Sequence, residues 1–356
     1  MIYKQKEVEY TNEPNQFNKD SGKEILQYAV GGLLYMPASN NKIADKLISR
    51  EYEFIKSMVL DLEDSLGDDL VGFGMRTIKS TIESIANAVD TGKLRYDDVP
   101  LIFVRIRSFG QMTKTVDLLK ENMKYITGFN IPKFDRTNCK QYIAEFKEVM
   151  ERQKELAPGH SLYIMPIIEN KQALYRQLRM ENLLEMNENL REITDNVLNI
   201  RVGGADFCSI FGIRRGIEDN IYDIGVVKSV LNDIVNVFGK SYVVSGPVWE
   251  FFENKNNTSD TRWKRGLEQE LYKDRLNGFF GKTSIHPTQL PVIQKSLIVN
   301  NEDFLEAVSI LGMNENSIGV KKSVSGNRMN EVKTHTNWAR KIIGIANVYG
   351  VKKDNN

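Results

Sequence analysis

Short apolar segments alternate with longer segments of helical spacing along most of the chain. Eight apolar segments are predicted strands: 31–38, 57–64, 101–108, 128–133, 162–170, 198–206, 241–247 and 277–287. Segments between them, such as 75–89 and 138–153, have the three- and four-residue apolar spacing that predicts amphipathic helices. Strands that alternate with helices predict a parallel sheet with helical crossovers.

The number of predicted strands favours a closed barrel. Eight strand–helix units are the number that forms an α/β (β/α)8 TIM barrel. A doubly wound open sheet is the alternative, but it usually has fewer strands and a glycine-rich phosphate turn after the first strand. Here residues 36–42, MPASNNK, follow the first strand without such a turn.

Polar segments mark the predicted domain boundaries. Residues 1–24 are predicted to form a weakly structured polar arm, residues 25–299 the barrel, and residues 300–356 a helical extension or lid. Within the barrel, 181–196 is predicted to lengthen the connection between the fifth and sixth strands. Residues 253–266 are predicted to be an exposed insertion.

Composition and charge narrow the class of protein. A content of 41% apolar and 27% charged residues suits a globular chain, and a formal net charge of +1 gives no general attraction to nucleic acid or membranes. Two cysteines, Cys139 and Cys208, exclude a disulfide framework. Because no apolar stretch suits a membrane span or a signal peptide, we expect a cytoplasmic protein without nucleic-acid or membrane partners.

Polar residues follow the apolar part of the predicted strands. They are Pro37, Asp61, Glu63, Asp64, Arg105, Arg107, Lys133, Glu169, Asp206, Ser245, Lys282 and His286. Because all strands of a barrel point the same way, these side chains are predicted to meet at one mouth, where barrel enzymes have their active sites. Polar loops explain one or two such positions, but less easily a series of charges that directly end buried strands.

The second strand ends in the carboxylates Asp61, Glu63 and Asp64. Like charges in a poorly solvated site require compensation, which Arg105 and Lys133 on the next two strands would supply together with a metal ion. Strand alternation cannot direct all three carboxylates to one side, so we expect Glu63 and Asp64 to enter the site through a turn. Fixed cations and a divalent metal suit carboxylate substrates and reactions that pass through an enolate.

These motifs resemble the HpcH/HpaI aldolase and citrate lyase β-subunit superfamily, especially its citryl-CoA and malyl-CoA lyase branch. The similar segments are LLYMPAS (33–39), DLEDSL (61–66), VRIR (104–107), IPK (131–133), IEN (168–170), VGGADF (202–207) and GKTSIHPTQL (281–290). VRIR or IPK alone is a weak signal, whereas DLEDSL and GKTSIHPTQL in this order are specific. The resemblance implies a barrel of the phosphoenolpyruvate/pyruvate type with a C-terminal helical lid.

The resemblance implies a metal site at Glu169 and Asp206. Two carboxylates, with waters and substrate oxygens, suit the octahedral oxygen coordination of Mg²⁺. A chain with three histidines and two cysteines makes soft or histidine-rich coordination a poor alternative. Glu169 could instead lie at the start of the next helix, and Asp206 could cap a helix.

The resemblance also implies residues for substrate binding and catalysis. Arg105 would hold a substrate carboxylate or enolate oxygen, or form a structural ion pair with Glu63 or Asp64. Asp64 stands where pyruvate-type aldolases carry histidine, which favours the acyl-CoA lyase branch. The predicted substrate-binding residues are Lys133, Pro37, Ser245 and Lys282. For Lys282 and His286 a structural role at the barrel seam is the alternative.

The C-terminal tail departs from the family pattern. Members carry G-x-M-(V/I)-D, whose aspartate on a lid reaches a neighbouring subunit as a general acid or base. Here GNRMNE (326–331) is similar, with Glu331 or Asn330 in place of aspartate. Glutamate can transfer a proton and asparagine cannot. The resemblance implies a homo-oligomer, a trimer or hexamer.

The predicted function is that of a Mg²⁺-dependent carbon–carbon lyase or aldolase. It would act through the metal-stabilised enolate of a keto acid or an acyl thioester, with a coenzyme A thioester as a candidate substrate. A catalytically lapsed barrel, serving as a binding or assembly subunit of a biosynthetic or stress-response complex, is the alternative. Phosphotransfer on a similar barrel is a third hypothesis, but the sequence has no phosphate loop.

Overall fold

The computed structural model describes residues 1–312, 320–322 and 329–354. The chain divides into two compact units, a larger one of residues 18–293 and a smaller one that joins residues 1–17 to the segment from residue 294 onward. No helix in the described ranges has the length and apolar character needed to cross a membrane.

The described residues form short strands and longer helices. The strands are β1 (Tyr10–Asn12), β2 (Gly32–Pro37), β3 (Ser57–Asp61), β4 (Leu101–Arg105), β5 (Gly128–Ile131), β6 (Tyr163–Ile168), β7 (Arg201–Val202), β8 (Lys282–Ser284), β9 (Val299–Asn300), β10 (Val320–Lys322), β11 (Met329–Glu331) and β12 (Val351–Lys352). The helices are α1 (Lys23–Ala29), α2 (Ile43–Ile48), α3 (Val71–Asp90), α4 (Gln111–Leu119), α5 (Cys139–Leu156), α6 (Arg176–Leu190), α7 (Gly204–Ile210), α8 (Gly225–Phe238), α9 (Arg262–Leu276), α10 (Gln289–Ser296), α11 (Asn301–Leu311) and α12 (Val332–Tyr349).

Strands β2 to β8 form the parallel sheet of the larger unit, in the order β7-β6-β5-β4-β3-β2-β8. The predicted seventh strand lies between the two edges of this sheet. It makes single parallel bridges, Ile200 to Val244 on one side and Gly246 to Lys282 on the other. These bridges join β7 to β8 and close the sheet, which confirms the predicted (β/α)8 barrel.

The apolar pattern explains why the strands and helices form where they do. Strands β3 and β4 are buried at every residue, as expected when both faces of a parallel strand are covered. Helix α3 buries Ile78, Ile82 and Ile85 on one face, which is the four- and three-residue spacing of an amphipathic helix. Helices α3 and α5 confirm the predicted helices at 75–89 and 138–153.

Two predicted insertions are more ordered than expected. Residues 181–196 lie in α6 and in the 3-10 helix Arg191–Asn196 that follows it, and α6 buries Leu183, Met186 and Leu190. The segment 253–266 is an exposed loop only in its first part, because α9 begins at Arg262 and the Trp263 side chain is buried.

The smaller unit is built from both ends of the chain. Strand β1 pairs antiparallel with β12, which pairs parallel with β9. Helices α11 and α12 pack through Ala307, Ile310 and Ala339. Strands β10 and β11 pair with each other.

The first part of the predicted N-terminal arm, residues 1–17, makes specific contacts within the smaller unit. Tyr3 is buried and stacks on Phe17 and on Tyr349, with ring centroids 5.4 and 4.5 Å apart. These aromatic residues bury apolar surface, although the segment as a whole is polar in composition. The unit boundaries therefore fall at 17/18 and 293/294, rather than at 24/25 and 299/300.

Candidate active site

A cavity of about 420 Å³ lies at the carboxyl ends of the barrel strands. Its volume is typical of a site for a small organic ligand. The predicted site residues that line it are Pro37, Asp64, Arg105, Glu169 and Asp206. The structure therefore brings together side chains separated by up to 169 positions, from the end of β2 to the start of α7.

Arg105 ends β4 and is the centre of an acidic cluster. Its Nη2 atom lies 2.6 Å from Glu63, 2.8 Å from Asp64 and 3.3 Å from Glu169, and its Nη1 atom lies 3.6 Å from Asp61. Burial opposes the charge of this guanidinium, but the surrounding carboxylates outweigh burial and raise the pKa of Arg105. The predicted ion pairs of Arg105 with Glu63 and Asp64 are present.

A turn after β3 brings all three carboxylates of the DLED segment to Arg105. The Asp61 side chain accepts a hydrogen bond from the backbone N–H of Glu63 at 3.0 Å, the pattern of an Asx turn. A turn is present at Glu63 and Asp64, and Asp61 joins them at Arg105, while Asp61 and Asp64 line the cavity. Burial raises the pKa of Glu63. Burial would also raise the pKa of Asp64, but interactions with Glu63, Arg105 and Lys133 outweigh it and lower the pKa of Asp64.

Lys133 connects two of the acidic residues. Its ammonium lies 2.5 Å from Glu63, and this bond raises the pKa of Lys133. Its backbone N–H donates to Glu169 Oε1 at 2.9 Å. Lys133 has φ +50°, so the chain turns sharply after β5 and directs this N–H toward Glu169.

Glu169 and Asp206 lie on either side of Gly203. A Cβ atom added to Gly203 would stand 2.7 Å from Glu169 Oε2 and 2.7 Å from Asp206 Oδ2, so the two oxygens are no more than twice that distance apart. Glu169 Oε1 is already bonded to Lys133 and Arg105, which leaves Oε2 on the side of Asp206. Burial raises the pKa of Glu169 to about 7 and also raises the pKa of Asp206.

This arrangement fits a hard divalent cation. Arg105 and Lys133 are the cations that pair with this cluster among the described residues. Five carboxylates, Asp61, Glu63, Asp64, Glu169 and Asp206, therefore meet two positive charges. A divalent ion at Glu169 and Asp206 would offset most of the excess. No three histidine, cysteine or acidic side chains of the described residues are placed to hold one metal ion together, so waters and substrate would supply the other ligands.

Three predicted substrate-binding residues lie outside the cavity lining: Lys133, which pairs with Glu63, and the buried residues Ser245 and Lys282. Ser245 is buried and donates its hydroxyl to Phe280 O at 3.0 Å. Lys282 is buried between Asp274 at 2.7 Å and Glu270 at 3.0 Å. The assignment to substrate binding is corrected for Ser245 and Lys282, because these partners occupy their polar atoms away from the cavity.

His286 has the contacts of a structural residue. Its Nδ1 atom lies 2.8 Å from the Thr288 hydroxyl, and its ring stacks on Phe252 with centroids 4.4 Å apart. Gln289 accepts hydrogen bonds from the backbone of Ile285 and His286, which fixes the turn after β8. These contacts agree with the structural alternative for His286.

Glu331 belongs to the smaller unit and precedes α12. Its carboxylate accepts a hydrogen bond from the Thr334 hydroxyl at 2.9 Å, and its backbone N–H donates to His335 Nδ1 at 3.0 Å. Residues 326–328 of the predicted lid motif lie outside the described residues. A catalytic role of Glu331 stays a prediction.

The sequence analysis did not identify three further cavity residues, Tyr35, Arg201 and Thr283. Arg201 is buried within β7 and donates from Nη2 to the Thr283 hydroxyl at 2.6 Å. Tyr35 lies in β2, and its hydroxyl accepts a hydrogen bond from Asn130 at 2.6 Å. The available signal for Arg201 was a charged residue inside the apolar run LNIRV.

Fold and site together define an eight-stranded parallel barrel whose mouth carries an acidic cluster around a buried arginine. A profile of the carbon–carbon bond lyase family of the TIM-barrel fold matches residues 24–351. The chain belongs to this family, and the predicted relation to the HpcH/HpaI and citrate lyase β-subunit superfamily is confirmed. No curated protein matches the chain.

The solved structures that are similar to this chain share little sequence with it. The CitE protein of Mycobacterium tuberculosis, in complex with magnesium, acetoacetate and coenzyme A, is 19% identical, with 90% of this chain and 99% of that chain covered and a TM-score of 0.55. The citrate lyase β subunit from M. tuberculosis with oxaloacetate and magnesium is 19% identical over 76% of this chain and 98% of that chain, with a TM-score of 0.49. RipC from Yersinia pestis is 14% identical over 76% and 95%, with a TM-score of 0.47.

Proposed function

We propose that the protein is a Mg²⁺-dependent carbon–carbon lyase or aldolase acting on a keto acid or an acyl thioester. The observation that carries this proposal is that Glu169 Oε2 and Asp206 Oδ2 converge at Gly203, whose missing side chain lets both carboxylates approach at the cavity wall. Mg²⁺ held there would polarise a substrate carbonyl and stabilise the negative charge of an enolate. Membership in the lyase family supports the reaction class.

Neighbouring residues fix the orientation of Glu169, one of the two proposed metal ligands. Arg105 and the backbone N–H of Lys133 fix Glu169 Oε1, so that Oε2 keeps its orientation. Arg105 also lines the cavity, and its Nη1 atom is 3.6 Å from Asp61, too far for a strong hydrogen bond. We propose that Nη1 is the atom of Arg105 that contacts a substrate carboxylate or enolate oxygen.

The proposed substrate class includes coenzyme A thioesters. The CitE structure of M. tuberculosis contains magnesium, acetoacetate and coenzyme A, which supports a comparable ligand set here. In a homo-oligomer, Glu331 on the tail of one copy is proposed to transfer a proton in the active site of a neighbouring copy. Glu331→Gln should then slow turnover without weakening Mg²⁺ binding, because the amide cannot transfer the proton.

Enolisation measured by deuterium exchange tests the proposal. Pyruvate and oxaloacetate should exchange their C3 hydrogens with deuterated water in the presence of protein and Mg²⁺, as followed by proton NMR. Glu169→Gln should abolish this exchange, whereas Glu192→Gln, at an exposed glutamate paired with Lys147, should leave it unchanged. Exchange that is equally fast without Mg²⁺ or with Glu169→Gln would contradict the proposal.

The same assay separates the enzyme from a catalytically lapsed binding subunit. A lapsed barrel would bind Mg²⁺ and the keto acid without any exchange above the buffer rate. The acidic cluster and the cavity favour the enzyme, because a binding subunit without chemistry has no need for five carboxylates around two cations.

A further inference from the structure

The inner part of the cavity contains a second cationic site. We define the inner subsite as Tyr35, Arg201 and Thr283, which lie within β2, β7 and β8. Asp206 and Asp64, by contrast, follow the ends of their strands. The inner subsite is therefore deeper in the barrel than the acidic cluster.

Arg201 is buried without a counter-ion. Its Nη2 atom donates to the Thr283 hydroxyl, and its Nε and Nη1 atoms have no hydrogen-bond partner. No carboxylate of the described residues forms an ion pair with it, although the residue is only 1% exposed. Arginine stays protonated in proteins, and a buried unpaired charge is costly, so this position favours an anion from outside the chain.

The neighbours of Arg201 also offer hydrogen-bond donors. The Thr283 hydroxyl accepts from Arg201, and the Tyr35 hydroxyl accepts from Asn130, so each retains its own hydrogen for donation. The Tyr35 ring lies 6.0 Å from the guanidinium carbon of Arg201 and 5.9 Å from that of Arg105. A guanidinium and two hydroxyl donors are the groups that bind a carboxylate.

We propose that the inner subsite binds a substrate carboxylate remote from the metal-binding pair, so that the substrate carries two acidic ends or one acidic end and a thioester. The position of the reacting end rests on the proposed function, whereas the anion-binding role of Arg201 does not. A carboxylate is favoured over a phosphate because the cavity offers one unpaired arginine and carries the carboxylates of Asp64, Glu169 and Asp206 nearby.

Binding of matched probes tests the inner subsite without turnover. Succinate and butyrate have the same chain length and differ in one carboxylate, so calorimetric titration of the full chain with each, with and without Mg²⁺, isolates the second anion. The wild-type protein should bind succinate at least about tenfold more tightly than butyrate. Arg201→Met should remove this preference by lowering succinate affinity about tenfold, and Arg201→Lys should retain part of it.

Two further variants make the result specific. Thr283→Val removes a donor at nearly constant volume and should reduce the succinate preference by about threefold. Arg152→Met is the matched control, because Arg152 is exposed, pairs with exposed Asp117 and lies outside the cavity lining. Thermal unfolding of every variant shows whether it is folded, and Thr283→Val decides the result if Arg201→Met does not fold.

Three outcomes would overturn the inference. They are equal binding of succinate and butyrate by the wild-type protein, an unchanged preference in Arg201→Met and Thr283→Val, and tighter binding of inorganic phosphate than of succinate. If the preference depends on Arg201 but no keto acid exchanges deuterium, the inner subsite stands and the proposed reaction fails. The two proposals therefore fail separately.

Discussion

The two arginines that line the cavity have opposite surroundings. Arg105 lies within 4 Å of four carboxylates, whereas Arg201 interacts with the hydroxyl groups of Thr283 and Tyr35 and forms no ion pair with a described carboxylate. The pKa of Arg105 is raised because the carboxylates outweigh burial, and the pKa of Arg201 is lowered because burial prevails. A buried arginine with several carboxylates organises its own site, while one without any is available to a ligand.

The largest expected effect is the loss of Arg105. Arg105→Met leaves Asp61, Glu63 and Glu169 buried with too few cations, so the free energy of unfolding should fall by about 3–5 kcal/mol. Urea denaturation measures this change, and Mg²⁺ should restore part of it. Arg152→Met, at an exposed arginine that pairs with Asp117, should cost less than about 1 kcal/mol. Equal effects of the two substitutions would show that the acidic cluster does not depend on Arg105.

The pH dependence of stability should follow Glu169. Burial raises the pKa of Glu169 to about 7, above its unfolded value of 4.5, so the folded protein binds the proton more tightly. Its contribution to stability is present below the unfolded pKa and is lost as pH rises through the folded pKa. Without metal, wild-type protein should lose about 3 kcal/mol relative to Glu169→Gln between pH 4.5 and 7.5. A difference that stays constant over this range would contradict the raised pKa.

An intermediate effect is expected from Gly203→Ala. The added Cβ would meet the Glu169 side chain and Asp206 Oδ2, so these two carboxylates must move apart. We expect stability to fall by about 1–3 kcal/mol and Mg²⁺ affinity to fall more than tenfold. Gly225→Ala is the control, because a Cβ there meets no atom within 4 Å. Normal Mg²⁺ affinity in Gly203→Ala would remove Gly203 from the proposed site.

The smallest effect on stability is expected from Arg201→Met. Replacement of an unpaired buried cation by an apolar side chain should change the free energy of unfolding by less than about 1 kcal/mol, or raise it. Arg215, a buried arginine that is paired with carboxylates, serves for comparison: it contacts Glu250 at 2.8 Å and also Glu270. Arg215→Met should lower the free energy of unfolding by about 3–5 kcal/mol. If Arg201→Met were as destabilising as Arg215→Met, Arg201 would have a structural role.

The sequence predicted the barrel and most of the acidic cluster because both depend on strand ends. Each parallel strand is a continuous apolar run, and the residue that follows it must face the mouth or the nearby loops. Glu169, Asp206 and Arg105 were found in this way. The turn at Glu63 was also predicted, because strand alternation alone could not account for DLED.

The remaining features depend on contacts that the order of residues does not display. Position near a strand end does not determine which way a side chain points, so Ser245 and Lys282 were assigned to the cavity although they bond elsewhere. Arg201 lies inside a strand, where a single charged residue has no periodic signal. Tyr3 finds its stacking partner Tyr349 at the other end of the chain.

Calorimetric titration with Mg²⁺ tests the central claim most directly. Glu169 and Asp206 are proposed to hold one Mg²⁺ ion, so Glu169→Gln and Asp206→Asn should each weaken Mg²⁺ binding by about a hundredfold while thermal unfolding shows a folded protein. Glu192→Gln, at an exposed position, should bind Mg²⁺ as the wild-type protein does. Unchanged Mg²⁺ affinity in the double variant Glu169→Gln/Asp206→Asn would contradict the account.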